Sequence, residues 1–584
     1  MPRAGAPVKV PTAPTLTTTD SQSFAAVRVL DKVREAALAV PTLGMSPESL
    51  WLAWIDWAIH LAGAPGKRAE LTLRLMQAMA GYAAQDQSTA PDPRFATPAW
   101  QKPPFRQAAQ TFLLWQDWWR HATRDVPGTE PHHEEVVSFV ARQCLDMLAP
   151  SNQLWSNPDV LERTLAQGGA NLWRGAMHVL QDLQRKAAGL PPPGSEAYGV
   201  GRDVACTPGK VVMRNALVEL IQYHPTTATV YVEPVLLISA WIMKFYILDL
   251  SPHNSMVRWL LDQGHTVFCL SWRNVSARER DFGLEDYRQL GLMAALDTIG
   301  TILPERRVHA LGYCLGGTLL VWGAAAMARA GDMRLATVTL LAAQTDFSEP
   351  GELQLFIDHA QVHMLDSLMW KRGYLTAEQM SGAFHLLQSR DLIWSRMVHD
   401  YLLGERAPLS DLMAWNADTT RMPQRMHSEY LHQLFLNNDL AAGRLLVQGH
   451  PVALQNIRTP IFVVGTERDH VAPWRSVYKI HSLVDTEVTF VLSSGGHNVG
   501  IVNPPMQSKR SYRVRMEKAG DICLSPDEWF DAATLHEGSW WPAWEQWLVA
   551  HSSTRRQPPP AMGSKSANAK SPLPDAPGHY VLQH

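Results

Sequence analysis

From residue 23 to about residue 200, apolar side chains return every three or four positions. "SPESLWLAWIDWAIHLAGAPGKRAELTLRLMQAMAGYA", "PFRQAAQTFLLWQDWWRHAT" and "NPDVLERTLAQGGANLWRGAMHVLQDLQRK" all carry this spacing, which gathers the apolar groups on one face of a helix. Asn157-Pro158 predicts a helix start, a capping side chain followed by a first-turn proline. "GLPPPGSEAYGVG" then reads as a linker. Beyond it the rhythm changes. Short runs of Val, Ile, Leu and Phe predict strands at 234–239, 266–272, 307–313, 337–343, 460–466 and 487–493, with helical stretches between them. Strands apolar at nearly every position are buried on both faces, so the pattern implies an α/β fold with a mostly parallel sheet covered by helices. Over a hundred residues separate the fourth run from the fifth with little strand character. The part from about 345 to 430, which includes the helical "MSGAFHLLQSRDLIWSRMVHDYLLG", is expected to cap the sheet.

The longest apolar stretch, "VEPVLLISAWIMKFYIL" at 232–248, is broken by Glu233, Pro234 and Lys244. It falls short of the ~20 apolar residues of a membrane helix and reads as a buried strand with a loop, so no membrane span is expected. The expected division is a disordered tail over 1–22, a helical N-terminal domain over 23–200, an α/β domain over 201–550 that contains the insert, and a flexible, low-complexity tail over 551–584.

Composition narrows the classes further. A chain of 584 residues is too long for one core. A net charge of −3 without any basic block argues against a nucleic-acid partner. The cysteines Cys144, Cys206, Cys269, Cys314 and Cys523 are odd in number and far apart, which argues against a disulfide framework or a CxxC metal site and fits a reducing cytoplasm. "MPRAGAPVKVPTAPTLTTTD" lacks the apolar core of a secretory signal. Tryptophan is unusually frequent, with 22 residues; some must fill core, but such a load also suits a surface that meets something apolar. Trp115, Trp118 and Trp119 are candidates for a surface that meets something apolar, or for the core of the helical region.

The candidate chemistry begins at "HALGYCLGGTLLV", 309–321, where Cys314 stands between glycines directly after an apolar run. The pattern Gly312-x-Cys314-x-Gly316-Gly317 resembles the nucleophile elbow of the α/β-hydrolases, with sulfur in place of the hydroxyl. Such an elbow needs an acid and then a histidine after later strands. "FVVGTERDHVAPW" supplies Asp469 and "FVLSSGGHNVGIVNPP" supplies His497. Asp346 also follows a strand and is the rival acid; Asp469 is preferred because its strand is nearer the histidine's. His470 and His309 read as structural hydrogen-bonders.

Longer segments resemble the poly(3-hydroxyalkanoate) synthases, closest to the class I enzymes that act without a second subunit type. "GYCLGGTLL" resembles their lipase-like box; "QYHPTTATVYVEPVLL", "KFYILDLSPHNSMVRWLLDQGHTVFCLSWRN", "ERDHVAPW", "GGHNVGIVNPP" and "HEGSWWPAWEQWL" follow in family order. Upstream, "DPRFATPAW" and "LWSNPDVLERTLAQGGANLWRG" resemble the synthase N-terminal domain. One loop departs: where the family usually has Pro-Pro-x-Ile-Asn-Lys, this chain has Ser239-Ala240-Trp241-Ile242-Met243-Lys244. The resemblance implies an α/β-hydrolase fold with Cys314, Asp469 and His497 as a catalytic triad. It implies an acyltransferase that polymerises (R)-3-hydroxyacyl-coenzyme A into polyester and releases coenzyme A. Coenzyme A thioester is then the substrate, and no cofactor or metal is expected. Backbone N–H groups of Leu315 and Ile242 are the expected oxyanion donors, and Asp469 either orients His497 or helps deprotonate the incoming hydroxyl. A cytoplasmic enzyme on polyester granules is expected. A homodimer is expected as well, with "DLIWSRMVHDYLLG" and "LSDLMAWN" of the insert as hinge or interface; Asp391, Trp394 and Trp415 there match family-like positions. The alternatives are an acyl-coenzyme A thioesterase, an intracellular polyester depolymerase, or a non-catalytic granule protein derived from a synthase.

Overall fold

The computed structural model describes residues 34–35, 45–83, 92–387, 389–506, 509–563 and 573–584; the tail expected over 1–22 lies outside them. Ten strands form one sheet: β1 (Gly209–Arg214), β2 (Val218–Tyr223), β3 (Val235–Ile238), β4 (Val267–Trp272), β5 (Val308–Tyr313), β6 (Leu335–Leu341), β7 (Ile461–Thr466), β8 (Val488–Ser493), β9 (Ser511–Glu517) and β10 (Thr534–Glu537). Their order is β1-β2-β4-β3-β5-β6-β7-β8-β9-β10. The six from β4 to β8 in that order run parallel, and the pairs at either end are antiparallel.

Those six parallel strands are the six apolar runs of the sequence. All their residues are buried, because helices cover both faces. Alternate side chains enter two cores: Leu236 and Ile238 join one, Val235 and Leu237 the other. The antiparallel strands β1, β9 and β10 are half exposed or exposed and lack the continuous apolar signature. β2 is fully buried yet carries Glu219 and Gln222, polar groups that conceal a strand in the sequence.

Those two side chains also hold a later segment. Residues 551–584 were expected to be a flexible tail, but Arg556–Gln557 pair with Val230–Tyr231, and residues 561–563 and 573–580 pack against β1 and β2. Glu219 accepts from the backbone N–H groups of His579 and Tyr580, each at 2.9 Å. Gln222 donates to the Ala561 carbonyl and accepts from Gly563 N–H. Val211 N–H donates to Pro574, and Ala576 N–H to Gly209. Buried polar groups need partners, and this proline-rich segment supplies them from backbone atoms, which composition does not reveal.

The N-terminal region is helical: Pro47–Gly63, Pro65–Ala83, Phe105–Ala122, Pro131–Leu148, Pro158–Ala166 and Ala170–Ala187. The start at Asn157 is as expected, its side chain accepting from Asp159 and Val160 N–H. These helices have only small cores, one around Trp57 and Val137 and one around Trp100 and Phe112. Trp119 packs at the first while Trp115 is exposed. Trp51, Ile55 and Ile59 on the first helix and Trp173, Met177 and Leu180 on the last are exposed too.

The insert between β6 and β7 lies against these helices. Gly175 meets the Tyr401 backbone so closely that a Cβ would sit 1.8 Å from its carbonyl oxygen. Asn171 donates to the Leu402 carbonyl at 2.8 Å, and Arg406 pairs with Asp182 at 2.8 Å. At the other end Ser46 N–H donates to Gln361, and Ser49 donates to Asp358.

Candidate active site

Cys314 leaves β5 with φ 52° and ψ −121° and caps the helix Leu315–Arg329. Few L-residues tolerate a positive φ, and this strain turns the thiol out at the sheet's carboxyl edge. The surrounding glycines are demanded by contact. A Cβ on Gly312 would lie 2.3 Å from Gly317 Cα; one on Gly316 would lie 2.1 Å from the Ile238 carbonyl oxygen. Strand, helix and the loop after β3 therefore meet at this point only because side chains are missing there. Leu315 is the first residue of the elbow helix, where N–H groups have no intrahelical acceptor. Ile242 lies in the loop after β3.

Asp469 follows β7 and is buried. One of its oxygens accepts from Val471 and Ala472 N–H at 2.9 and 2.8 Å. The other accepts from the Thr466 hydroxyl at 2.9 Å and from His497 Nδ1 at 2.7 Å. The second His497 partner is the Cys314 thiol. Burial opposes a charge on His497, but the Asp469 carboxylate and the Cys314 sulfur outweigh it and hold its pKa well above the histidine range. Burial likewise works to raise Asp469, yet the His497 charge, the Ala472 N–H and the Thr466 hydroxyl leave its pKa below the usual carboxylate value.

The fold thus brings Cys314, His497 and Asp469 into one chain of contacts. It keeps Asp346 out of that chain: Asp346 caps its own turn through Ser348 N–H and receives the Asn438 amide. The His470 carbonyl accepts from Glu352 N–H at the start of the insert. His309 is buried between Thr337 and Ser552 hydroxyls at 2.8 and 2.9 Å, and burial pushes its pKa down to about 3.

Several supporting residues escape sequence reasoning. The Tyr313 hydroxyl donates to Asn498 Oδ1 at 2.5 Å, tying the residue before the thiol to the residue after the imidazole. Trp540 and Trp541 donate their indole N–H groups to the Gly500 and Ile501 carbonyls, and Ser539 donates to Asn503. The family-like "GSWW" segment therefore clamps the histidine loop. These are side-chain bonds to distant backbone, for which periodicity has no signal. From the insert, Tyr430 stands near the thiol: burial and then the Cys314 sulfur push its phenol pKa up. Tyr430 packs with Phe347 and Phe435 in an aromatic wall, ring centres 4.9 to 6.3 Å apart. The Asp391 side chain lies outside the described residues. Among the described residues no cluster of His, Cys, Asp and Glu is arranged to hold a metal ion, and no helix is long and apolar enough to cross a membrane.

Comparison with known proteins adds three matches to family models. Residues 91–260 match the poly-beta-hydroxybutyrate polymerase N-terminus, residues 25–67 a second poly-beta-hydroxybutyrate polymerase N-terminal model, and residues 233–504 the alpha/beta hydrolase fold. The poly(3-hydroxyalkanoate) polymerase of Methylorubrum extorquens is 39% identical over 494 residues, covering 84% of this chain and 80% of that one. The corresponding polymerase subunit of Rhizobium meliloti is 36% identical, covering 95% and 88%, and that of Cupriavidus necator 34%, covering 87% and 86%. Among solved structures, a monoacylglycerol lipase of Paleococcus ferrophilus aligns with 56% of this chain and 98% of its own, at 14% identity and a TM-score of 0.32.

Proposed function

The chain belongs to the poly(3-hydroxyalkanoate) polymerase family and is a polymerase of that class, and we propose that it builds its polyester by acyl transfer through Cys314, His497 and Asp469. The substrate is an (R)-3-hydroxyacyl-coenzyme A. The Cys314 sulfur, its proton passed to His497, attacks the thioester carbonyl. The tetrahedral oxyanion is met by the N–H groups of Leu315 and Ile242, worth about 3 kcal/mol per donor in other acyl transfers. Collapse expels the coenzyme A sulfur, which takes the proton from His497. The 3-hydroxyl of the next unit then attacks the acyl-Cys314, giving its proton to His497 and releasing the thiolate. Cysteine suits this chemistry: thioester exchanges for thioester, and the acyl group stays activated until the hydroxyl arrives. No cofactor is needed, because the thioester itself supplies the activation.

The observation that carries this reading is the Cys314 thiol at the elbow, its sulfur acting on His497 with Asp469 behind the imidazole. Both Asp469 oxygens already have their acceptor positions taken, which supports a role in orienting His497 over one as base for the hydroxyl. The insert, with Tyr430 beside the thiol, excludes water from the waiting acyl-enzyme. The enzyme works in the cytoplasm at the granule surface as a homodimer; the exposed apolar side chains of the N-terminal helices support such contacts. Incubation with (R)-3-hydroxybutyryl-coenzyme A tests the reading: coenzyme A release should accompany insoluble polymer. Release with free hydroxyacid alone would assign a thioesterase instead.

A further inference from the structure

In the loop after β3, four of the six carbonyls from Ser239 to Lys244 are held from outside the loop. Ser239 O accepts from the Trp272 indole at 2.8 Å, Trp241 O from the Thr420 hydroxyl at 2.5 Å, Ile242 O from Thr420 N–H at 3.4 Å, and Lys244 O from the Trp415 indole at 2.8 Å. Three of these four donors come from residues 415–420 of the insert. One of them matters most. Trp241 C=O and Ile242 N–H belong to one planar trans peptide, so they point in opposite directions. A hydroxyl that fixes the carbonyl therefore fixes the direction of the N–H. Thr420 is buried at 3% exposure, so its hydroxyl has no water to turn to.

A buttress stands behind this contact. The Lys244 ammonium is buried, at 2% exposure, and donates to the backbone oxygens of Val581 and Gln583 at 2.9 and 2.5 Å. A buried charge is costly unless hydrogen-bonded, and the packing alone would be served by an apolar side chain. Arg421, next to Thr420, is held by Asn274 Oδ1 through its backbone and guanidinium, and donates to the His584 backbone oxygen at 2.5 Å. Asn274 in turn donates to Gln583. Residues 581–584 thus brace both the loop and the insert segment that grips it.

We propose that Thr420 is a positioning residue for the polymerase reaction, its hydroxyl aiming the Ile242 N–H at the acyl oxygen, with the Lys244 ammonium and residues 581–584 keeping that grip in register. The insert then does more than cover the thiol: it sets the orientation of one oxyanion donor, so that closure and completion of the oxyanion site are one event. This rests on the assignment of Ile242 as an oxyanion donor.

Two reactions of the same sulfur separate this from a general structural effect. Alkylation of Cys314 by iodoacetamide, read by peptide mass, forms no oxyanion; acylation by (R)-3-hydroxybutyryl-coenzyme A does. In Thr420→Val, kcat and the single-turnover acylation rate should fall about ten- to a hundredfold, with KM and the alkylation rate within about twofold of the parent. Thr420→Ser, which keeps the hydroxyl, should recover to within about threefold. Should Thr420→Val fail to fold, Lys244→Met carries the same two readouts. Equal losses in alkylation and acylation, or an unchanged kcat, would overturn the proposal. Cys314→Ser serves as the control for the underlying reading: if that variant still polymerises, the assignment of Cys314 fails, whatever Thr420 does.

Discussion

At the scale of single residues, the proposed mechanism turns on the chemistry of individual groups. Cys314→Ser changes the volume little and should leave the fold intact. The hydroxyl is far less acidic than the thiol, so turnover should fall at least about a thousandfold; activity near the parent's would remove Cys314 from the mechanism. Asp469→Asn keeps the shape and loses the charge. Asp469, with its depressed pKa, favours the folded site above about pH 3.9 and loses this as pH falls through its lower folded value; His497, with its raised pKa, favours it below about pH 6.5 and loses it as pH rises through its folded value. The pair is at full strength from about pH 4 to 6.5. In Asp469→Asn the imidazole should titrate at lower pH by NMR, and turnover should drop about 10²- to 10⁴-fold. Asp346→Asn should leave the titration in place, and the reverse ranking would move the acid to the earlier strand. Gly316→Ala would put a Cβ 2.1 Å from one backbone oxygen and 2.7 Å from another, neither of which is the end of a flexible side chain. A loss of about 1–3 kcal/mol should appear as a lower melting temperature, and an unchanged melting temperature would contradict the close approach.

Between elements, the contact of interest is where the N-terminal helices dock on the insert. Asp358 caps the helix His359–Arg372, receives Ser49, and faces His132 at 3.6 Å. Burial would raise Asp358, but His132, Ser49 and Gln361 N–H bring its pKa down to about 2; the Asp358 partner, against burial, raises His132. Asp358 therefore strengthens docking above about pH 3.9, a contribution lost as pH falls toward 2. His132 strengthens it below about pH 6.5, a contribution lost as pH rises through its raised value. Protection of the 359–372 helix from hydrogen exchange should peak between about pH 4 and 6.5, and Asp358→Asn should flatten that profile. A wild-type profile that is flat as well would mean the pair does not govern docking. The same insert has a chemical consequence. Shortening it should shift product from polymer toward free hydroxyacid, because water then reaches the acyl-enzyme; a constant product ratio would count against its role as a cap.

For the whole molecule, association is the open property that the surface bears on. Exposed Trp51, Ile55 and Ile59 on one helix and Trp173, Met177 and Leu180 on another exceed what scattered surface residues provide. Light scattering should show a mass that rises with concentration, with activity per chain rising alongside; a constant monomer with constant specific activity would exclude the dimer. The order strand–Cys314–helix, then Asp469, then His497, was legible in the sequence, because glycine spacing and strand ends are local facts set by sterics. The six parallel strands were legible for the same reason: burial on both faces writes itself as continuous apolar runs. The antiparallel strands at the two ends of the sheet were not, since exposure of β1 and β9 and the polar Glu219 and Gln222 of buried β2 leave no such run. Nor was the packing of residues 573–584, the clamp of Trp540 and Trp541 on the histidine loop, or the grip of Thr420 on the Trp241 carbonyl. Each of these joins a side chain to backbone atoms that are distant in the chain. Sequence by itself determined which residues are the candidates for the chemistry; only the tertiary structure decided which atoms hold them in place, because any residue's carbonyl or N–H can serve as partner and only the fold selects which one is within reach.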